Sequence, residues 1–215
     1  MLFRPLLPDP VAVAEGDPAG VEPEAWPEAV EPVARAVRHR QQEYVCARVL
    51  ARELLASHGH PGHWVRAHAD RSPTWPEGVV GAITHTSRRD APGRVAVAVT
   101  RDPGIRGLGL DVEPDLPLPD GVAGHVEFPG DRSGGPSRLV FSAKEAVYKA
   151  IYPLHREFWG FDAVRVDARA DGRLFVELRR AAPGLPVGTV VEGRWRAAEG
   201  FLGTAFVIEI GRAHV

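Results

Sequence analysis

Only two stretches of this 215-residue chain carry the spacing of a long helix, and strand-like runs fill most of what lies between and after them. From about residue 32 to residue 57, Val33, Val37, Tyr44, Val45, Val49 and Leu55 recur at broadly helical intervals, and Gly59 and Pro61 close the pattern. The second stretch is FSAKEAVYKAIYPL, residues 141–154, which Pro153 is expected to end. Between them lie VVGAIT (79–84) and RVAVAVT (94–100), separated by the polar SRRDAPG, and then a third run from Ile105 to Glu113. AVRVDA, LFVELR, TVVEGRWRAA and FLGTAFVIEI follow the second helix. Helix, strands, loop, helix, strands is not an alternating βαβ array. It predicts an α+β fold of two similar halves, divided as 1–104 and 105–215. Residues 1–31, rich in proline, alanine and acids, are expected to run over the surface in extended segments and turns. Residues 114–137 form a Pro-, Gly- and Asp-rich loop, and a loop of that length is usually functional or mobile.

Composition narrows the function. A net charge of −2 disfavours a nucleic-acid binder, so any anion site must gather a few cations locally. The single cysteine, Cys46, excludes an internal disulfide and a zinc–thiolate cluster. The opening MLFRPLLPDP lacks the apolar run of a signal peptide, and no segment reaches the ~18 apolar residues of a membrane span. A cytoplasmic location is expected.

Four pieces of the chain carry the candidate chemistry. In GLGLDVE, residues two apart share a strand face, so Asp111 and Glu113 project together. Gly107 and Gly109 lie on that face and are expected to leave it open for a ligand. Paired carboxylates on a stiff strand suit Mg²⁺, although a solvated acidic edge is the plainer explanation. In SAKEAVYK, Glu145 offers a third carboxylate, and Lys144 and Lys149 offer cations in a chain that otherwise uses arginine. Helix mechanics competes here: Ser142 and Glu145 read as a capping box, and Glu145 with Lys149 as an i,i+4 pair. In WPEGVVGAITH, His85 ends a strand beside Thr84 and Thr86, and Arg40 and Arg48 lie on the polar side of the first helix. Three carboxylates with lysines, arginines and a histidine are what a nucleotide diphosphate needs. Neither GxxxxGK[ST] nor a strand-borne GxGxxG is present.

WPEGVVGAITHT, GLGLDVEP and FSAKEAVYKAIYPL, in this order and at these separations, resemble the phosphopantetheinyl transferase superfamily. Within it they are similar to the enterobactin-synthetase and actinobacterial (surfactin-type) branch, whose members activate polyketide and nonribosomal peptide synthases. The resemblance spans roughly residues 32–165. It implies two α+β halves related by a pseudo-twofold axis, with coenzyme A in the cleft between them. It implies Asp111, Glu113 and Glu145 as Mg²⁺ ligands and Lys144 and Lys149 near the pyrophosphate. It places His85 at the 3′-phosphate, with Arg40, Arg48 and Arg71 also on the nucleotide phosphates and a hydroxyl from Thr84 or Thr86 nearby. Ala82 stands where many members have serine, and residues 114–137, which in relatives contribute to the carrier-protein surface, do not match well.

The implied reaction moves 4′-phosphopantetheine from coenzyme A to a serine of an apo acyl or peptidyl carrier protein, releasing 3′,5′-ADP. The carriers are domains of polyketide, fatty acid or nonribosomal peptide synthases. Asp111, Glu145 and Lys149 would carry catalysis, with Glu145 or a metal-bound water as the base. A monomer without nucleic-acid or membrane partners is expected. The alternatives are another Mg²⁺-dependent phosphotransferase or pyrophosphate hydrolase, and a noncatalytic coenzyme A-binding module.

Overall fold

The computed structural model describes residues 1–88, 91–136 and 138–210. Its fold is α+β, with two antiparallel sheets that each carry one long helix. The first sheet has the order β1 (Ala12–Gly16), β3 (Ala91–Thr100), β2 (Val80–Arg88), with Arg89 and Asp90 of the predicted SRRDAPG turn outside the described residues. Helix α1 (Arg38–Ser57) covers it, burying Cys46, Ala47, Ala51 and Leu55 against Val95, Val97 and Val99. Val33 and Val37, predicted inside this helix, precede it, and the chain reaches them through short turns from residue 18 onward.

The second sheet runs β4 (Ile105–Pro114), β8 (Phe201–Glu209), β7 (Val190–Ala198), β6 (Arg173–Leu178), β5 (Val164–Ala168), and Arg132–Ser133 adds a short parallel edge. Helix α2 (Leu139–His155) lies on this sheet, burying Leu139, Ala143, Ala146, Val147, Ala150 and Ile151 against Leu174, Val176, Leu202 and Phe206. It starts earlier than the sequence suggests and passes through Pro153, ending at Arg156 in the left-handed region. Ser142 is therefore not its N-cap. The serine is buried in the helix, its hydroxyl 2.9 Å from Thr204 Oγ1, so the predicted capping box does not form.

Two glycines set the distance between helix and sheet. A Cβ at Gly107 would overlap the Ala150 carbonyl oxygen, and one at Gly109 the Ala146 carbonyl oxygen. The face of β4 expected to stay open for a ligand is thus filled by the backbone of α2, which approaches as only glycine permits.

A third apolar cluster joins the sheets. Ala82, Ala96 and Ala98 of the first sheet meet Leu108, Leu110, Val112 and Phe201 of the second. Leu2, Phe3, Leu6 and Leu7 complete it, with Leu2 and Phe3 almost wholly buried. Glu15 on β1 accepts the backbone N–H groups of both, at 2.9 and 2.8 Å. The start of the chain is therefore a core element and not the surface segment its proline content suggests, because MLFRPLL concentrates its large apolar side chains in the first seven residues.

Candidate active site

A cleft of about 1520 Å³ opens between α1, β2 and the C-terminal half of α2. Arg40, Arg48, Arg71, Thr84, His85 and Lys149 all line it. Six residues singled out from separate segments thus face one cavity. His85 lies inside β2, opposite Val95, and not at the strand's end. Arg40 reaches it from α1, with Nη1 2.7 Å from His85 Nε2 and 2.9 Å from Glu43 Oε2. Glu43 is buried and its Oε2 also lies 3.3 Å from His85 Nδ1, so one carboxylate orders both basic groups. Its signal in the sequence is the i,i+3 spacing from Arg40. Arg48 is buried rather than solvated, its guanidinium 4.1 Å from the centre of the Tyr44 ring, and burial holds its pKa below the ordinary value. A weakly solvated cation facing a cavity is ready for an anionic ligand.

Lys149 leads from the cleft to a group of acids, Asp111, Glu113 and Glu145, that are not themselves among the cleft's lining residues. Lys149, one turn beyond Glu145 on α2, donates to Asp111 Oδ1 at 2.7 Å. The other oxygen of Asp111, Oδ2, is buried and has no hydrogen-bond partner. Glu113, two residues along β4, accepts from Arg138 Nη1 at 2.6 Å. Burial, reinforced by the neighbouring Asp111, raises the Glu113 carboxyl above its usual range. Burial also raises the Glu145 carboxyl, with Asp111 adding to the shift and Lys149 opposing it. Among the described residues no three carboxylate, histidine or cysteine side chains converge as a formed metal site. Lys149 and Arg138 each occupy one of the acids.

Residues 27–99 match the family model for the 4′-phosphopantetheinyl transferase N-terminal domain, and residues 107–199 match that of the 4′-phosphopantetheinyl transferase superfamily. The 4′-phosphopantetheinyl transferase Svp of Streptomyces mobaraensis is 38% identical over 198 residues, covering 85% of this chain and 78% of its own. PptT of Mycobacterium tuberculosis is 33% identical over 208 residues, covering 89% and 88%, and Npt of Nocardia iowensis is 35% identical over 217 residues, covering 87% and 96%. The chain belongs to the 4′-phosphopantetheinyl transferase superfamily.

Not every residue expected at the transferase site lies there. Lys144 is on the far side of α2, 2% exposed, and does not line the cleft. Its ammonium donates to Asp131 Oδ2 at 2.5 Å, Val126 O at 2.8 Å and Phe161 O at 3.1 Å. Three acceptors match its three protons, which explains a lysine here without a phosphate. Lys144 and Lys149 are five positions apart, so the helix sends them in different directions. Thr84 is buried and its Oγ1 accepts the Val112 N–H at 3.0 Å, linking β2 to β4. Its hydroxyl oxygen thus joins the two sheets of the transferase.

The long loop is anchored at both ends. Arg138 holds the Leu116 and Pro117 carbonyls at 3.1 and 2.9 Å while paired to Glu113. Asp131 accepts the Phe128 and Val166 N–H groups, each at 2.8 Å, besides its pair with Lys144. No signal in the sequence pointed to Arg138 or Asp131, because both act across long separations.

Proposed function

We propose that this transferase moves the 4′-phosphopantetheine arm of coenzyme A to a serine hydroxyl of an apo acyl or peptidyl carrier protein, releasing 3′,5′-ADP. The observation that carries the proposal is the 2.7 Å contact between Lys149 and Asp111, which couples the cation-lined cleft to the acids of β4 beside it. Arg40, Arg48, Arg71 and His85 bind the nucleotide phosphates, and Lys149 takes the pyrophosphate. The division at residues 104 and 105 is part of the same proposal, the first half supplying nucleotide contacts and the second the acids.

The serine oxygen attacks the phosphorus bearing pantetheine. A new O–P bond forms as the bond to the 3′,5′-ADP oxygen breaks, and the leaving group keeps the electron pair. Glu145 accepts the serine proton. Lys149 and the arginines offset the charge that grows on the leaving group.

Asp111, Glu113 and Glu145 would hold Mg²⁺. The fit rests on the partnerless Asp111 Oδ2 and on burial and Asp111 raising the pKa values of both glutamates, a local excess of negative charge that a hard cation would offset. When bound, the ion supplies Lewis-acid charge offset on the pyrophosphate.

The carriers are domains of polyketide, fatty acid or nonribosomal peptide synthases. Among the described residues no helix is long and apolar enough to cross a membrane. A monomer working in the cytoplasm completes the proposal.

The test is to mix protein, coenzyme A and Mg²⁺ with a purified apo carrier and weigh the carrier by intact-protein mass spectrometry. Gain of one phosphopantetheine arm, abolished by EDTA and restored by Mg²⁺, is the expected result. Binding of coenzyme A with no gain on any of several carriers would instead favour a binding module.

A further inference from the structure

A β-hairpin arm crosses from the first half to the second at the mouth of the cleft. Its ladder is two residues long, Arg66 opposite Thr74 and Ala67 opposite Pro73. Its roots, Val65 and Trp75, pack in the core under α1, but residues 66–71 are all exposed. So short a ladder is marginal in water, and its tip needs a second attachment to keep one position.

Asp70, at the tip, supplies that attachment. Oδ1 accepts from the Ser72 backbone N–H at 2.9 Å and its hydroxyl at 2.6 Å, which shapes the turn. Oδ2 faces the end of α2, accepting from the Tyr152 hydroxyl at 2.7 Å and Arg156 Nη1 at 3.2 Å. The same nitrogen of Arg156 donates to Ser72 Oγ at 2.7 Å. The carboxylate is therefore used on both oxygens by groups from both halves.

Backbone conformation singles out the same place. Arg71 and Arg156 are two of the three non-glycine residues with positive φ among the described residues, at 69° and 60°. Arg156 stands just past the end of α2, where a left-handed residue is normally glycine. An arginine there gives up backbone ease and gains a guanidinium that reaches the hairpin. Left-handed non-glycine residues of this kind gather at ligand clamps and switches. Arg71, next to Asp70, lines the cleft.

We propose that Asp70, Tyr152 and Arg156 strap the hairpin tip across the cleft and so position Arg71 against the phosphates of coenzyme A. The strap rests on the transferase reading above and deepens it. These three are positioning residues, and their effect passes through Arg71.

The test is steady-state transfer to an apo carrier with coenzyme A varied, using Asp70→Asn, Tyr152→Phe, Arg156→Gly and Arg71→Ala. Each strap variant is expected to raise KM for coenzyme A by about 3- to 10-fold, the scale of one lost hydrogen bond, with kcat holding near wild type. Arg156→Gly is the sharpest, because glycine suits a φ of 60° and should melt no lower than wild type while binding coenzyme A more weakly. Asp70→Asn added to Arg71→Ala should raise KM no further than Arg71→Ala alone. Unchanged KM in the strap variants, or full additivity in the double variant, would overturn the strap. Unchanged KM in Arg71→Ala would overturn it too, while continued mass gain on the carrier would leave the transferase reading standing. Failure of the wild-type protein to modify any carrier is a separate result and would unseat that reading itself.

Discussion

Lys149 on α2 and Asp111 on β4 meet at 2.7 Å, and this pair ties the basic wall of the cleft to the acids beside it. Glu145 lies one helical turn before Lys149, so both reach the acids of β4 from one face of the helix. Removing a preorganised charged group from such a site costs on the order of 10²-fold in rate. Glu145→Ala should therefore lose transfer by at least that factor, read as carrier mass gained per unit time. Its melting temperature should not fall below wild type, because α2 begins at Leu139 and Glu145 caps nothing. A large drop in melting temperature with transfer preserved would mark Glu145 as a structural residue.

The pH dependence of stability follows from the same carboxyl. Burial raises the Glu145 pKa above the ordinary 4.5 in the folded state. As pH climbs through 4.5 the unfolded chain loses this proton first, and the folded state binds more protons than the unfolded. This group therefore lowers stability as pH rises, up to its folded pKa, and contributes nothing of that sign in more acidic solution. Glu145→Gln should show a melting-temperature advantage over wild type that is absent in acid and full at neutral pH. Thermal melts across pH would refute this if the difference were flat or reversed.

Lys144→Met should act on stability. The substitution leaves Asp131 buried without its cation, and breaking such a pair costs about 3–5 kcal/mol. Urea denaturation is the measurement. A change under about 1 kcal/mol, the scale of an exposed pair, would show that the ammonium is not held as described.

Gly109→Ala tests the approach of helix to strand. Its Cβ would meet the Ala146 carbonyl, so α2 must move outward, at a typical overpacking cost of about 1–3 kcal/mol. The shift also separates Lys149 and Glu145 from Asp111. Stability and transfer should fall together, and a variant that lost stability alone would argue that the acids tolerate a displaced helix.

Much of the site was legible in the sequence because it is written in short periods. Two-residue alternation put Asp111 and Glu113 on one face, and helical spacing put Glu145 and Lys149 on another. The errors came where distant segments decide the environment. Lys144 looked like a phosphate ligand because no local pattern announces Asp131 or the Val126 and Phe161 carbonyls. Ser142 looked like a cap because residues 139–141 carry no signal against a helix start three residues later. Gly107 and Gly109 were seen as open space, whereas what needed the space was backbone from residues about 40 positions onward, a separation that periodicity does not reach.

The order of strands in the second sheet has a consequence for synthesis. Strand β8, the last of the described strands in chain order, lies between β4 and β7, and Gly203 within it leaves room for Leu2. Strand β4, bearing Asp111 and Glu113, has no ladder partner in its own sheet until residues 201–209 exist. Completion of the second sheet must therefore wait for residues 201–209, and its long-range pairing favours slow closure. A nascent chain halted before residue 200 would hold every acid and cation of the site but lack the strand that pairs with the one bearing Asp111 and Glu113.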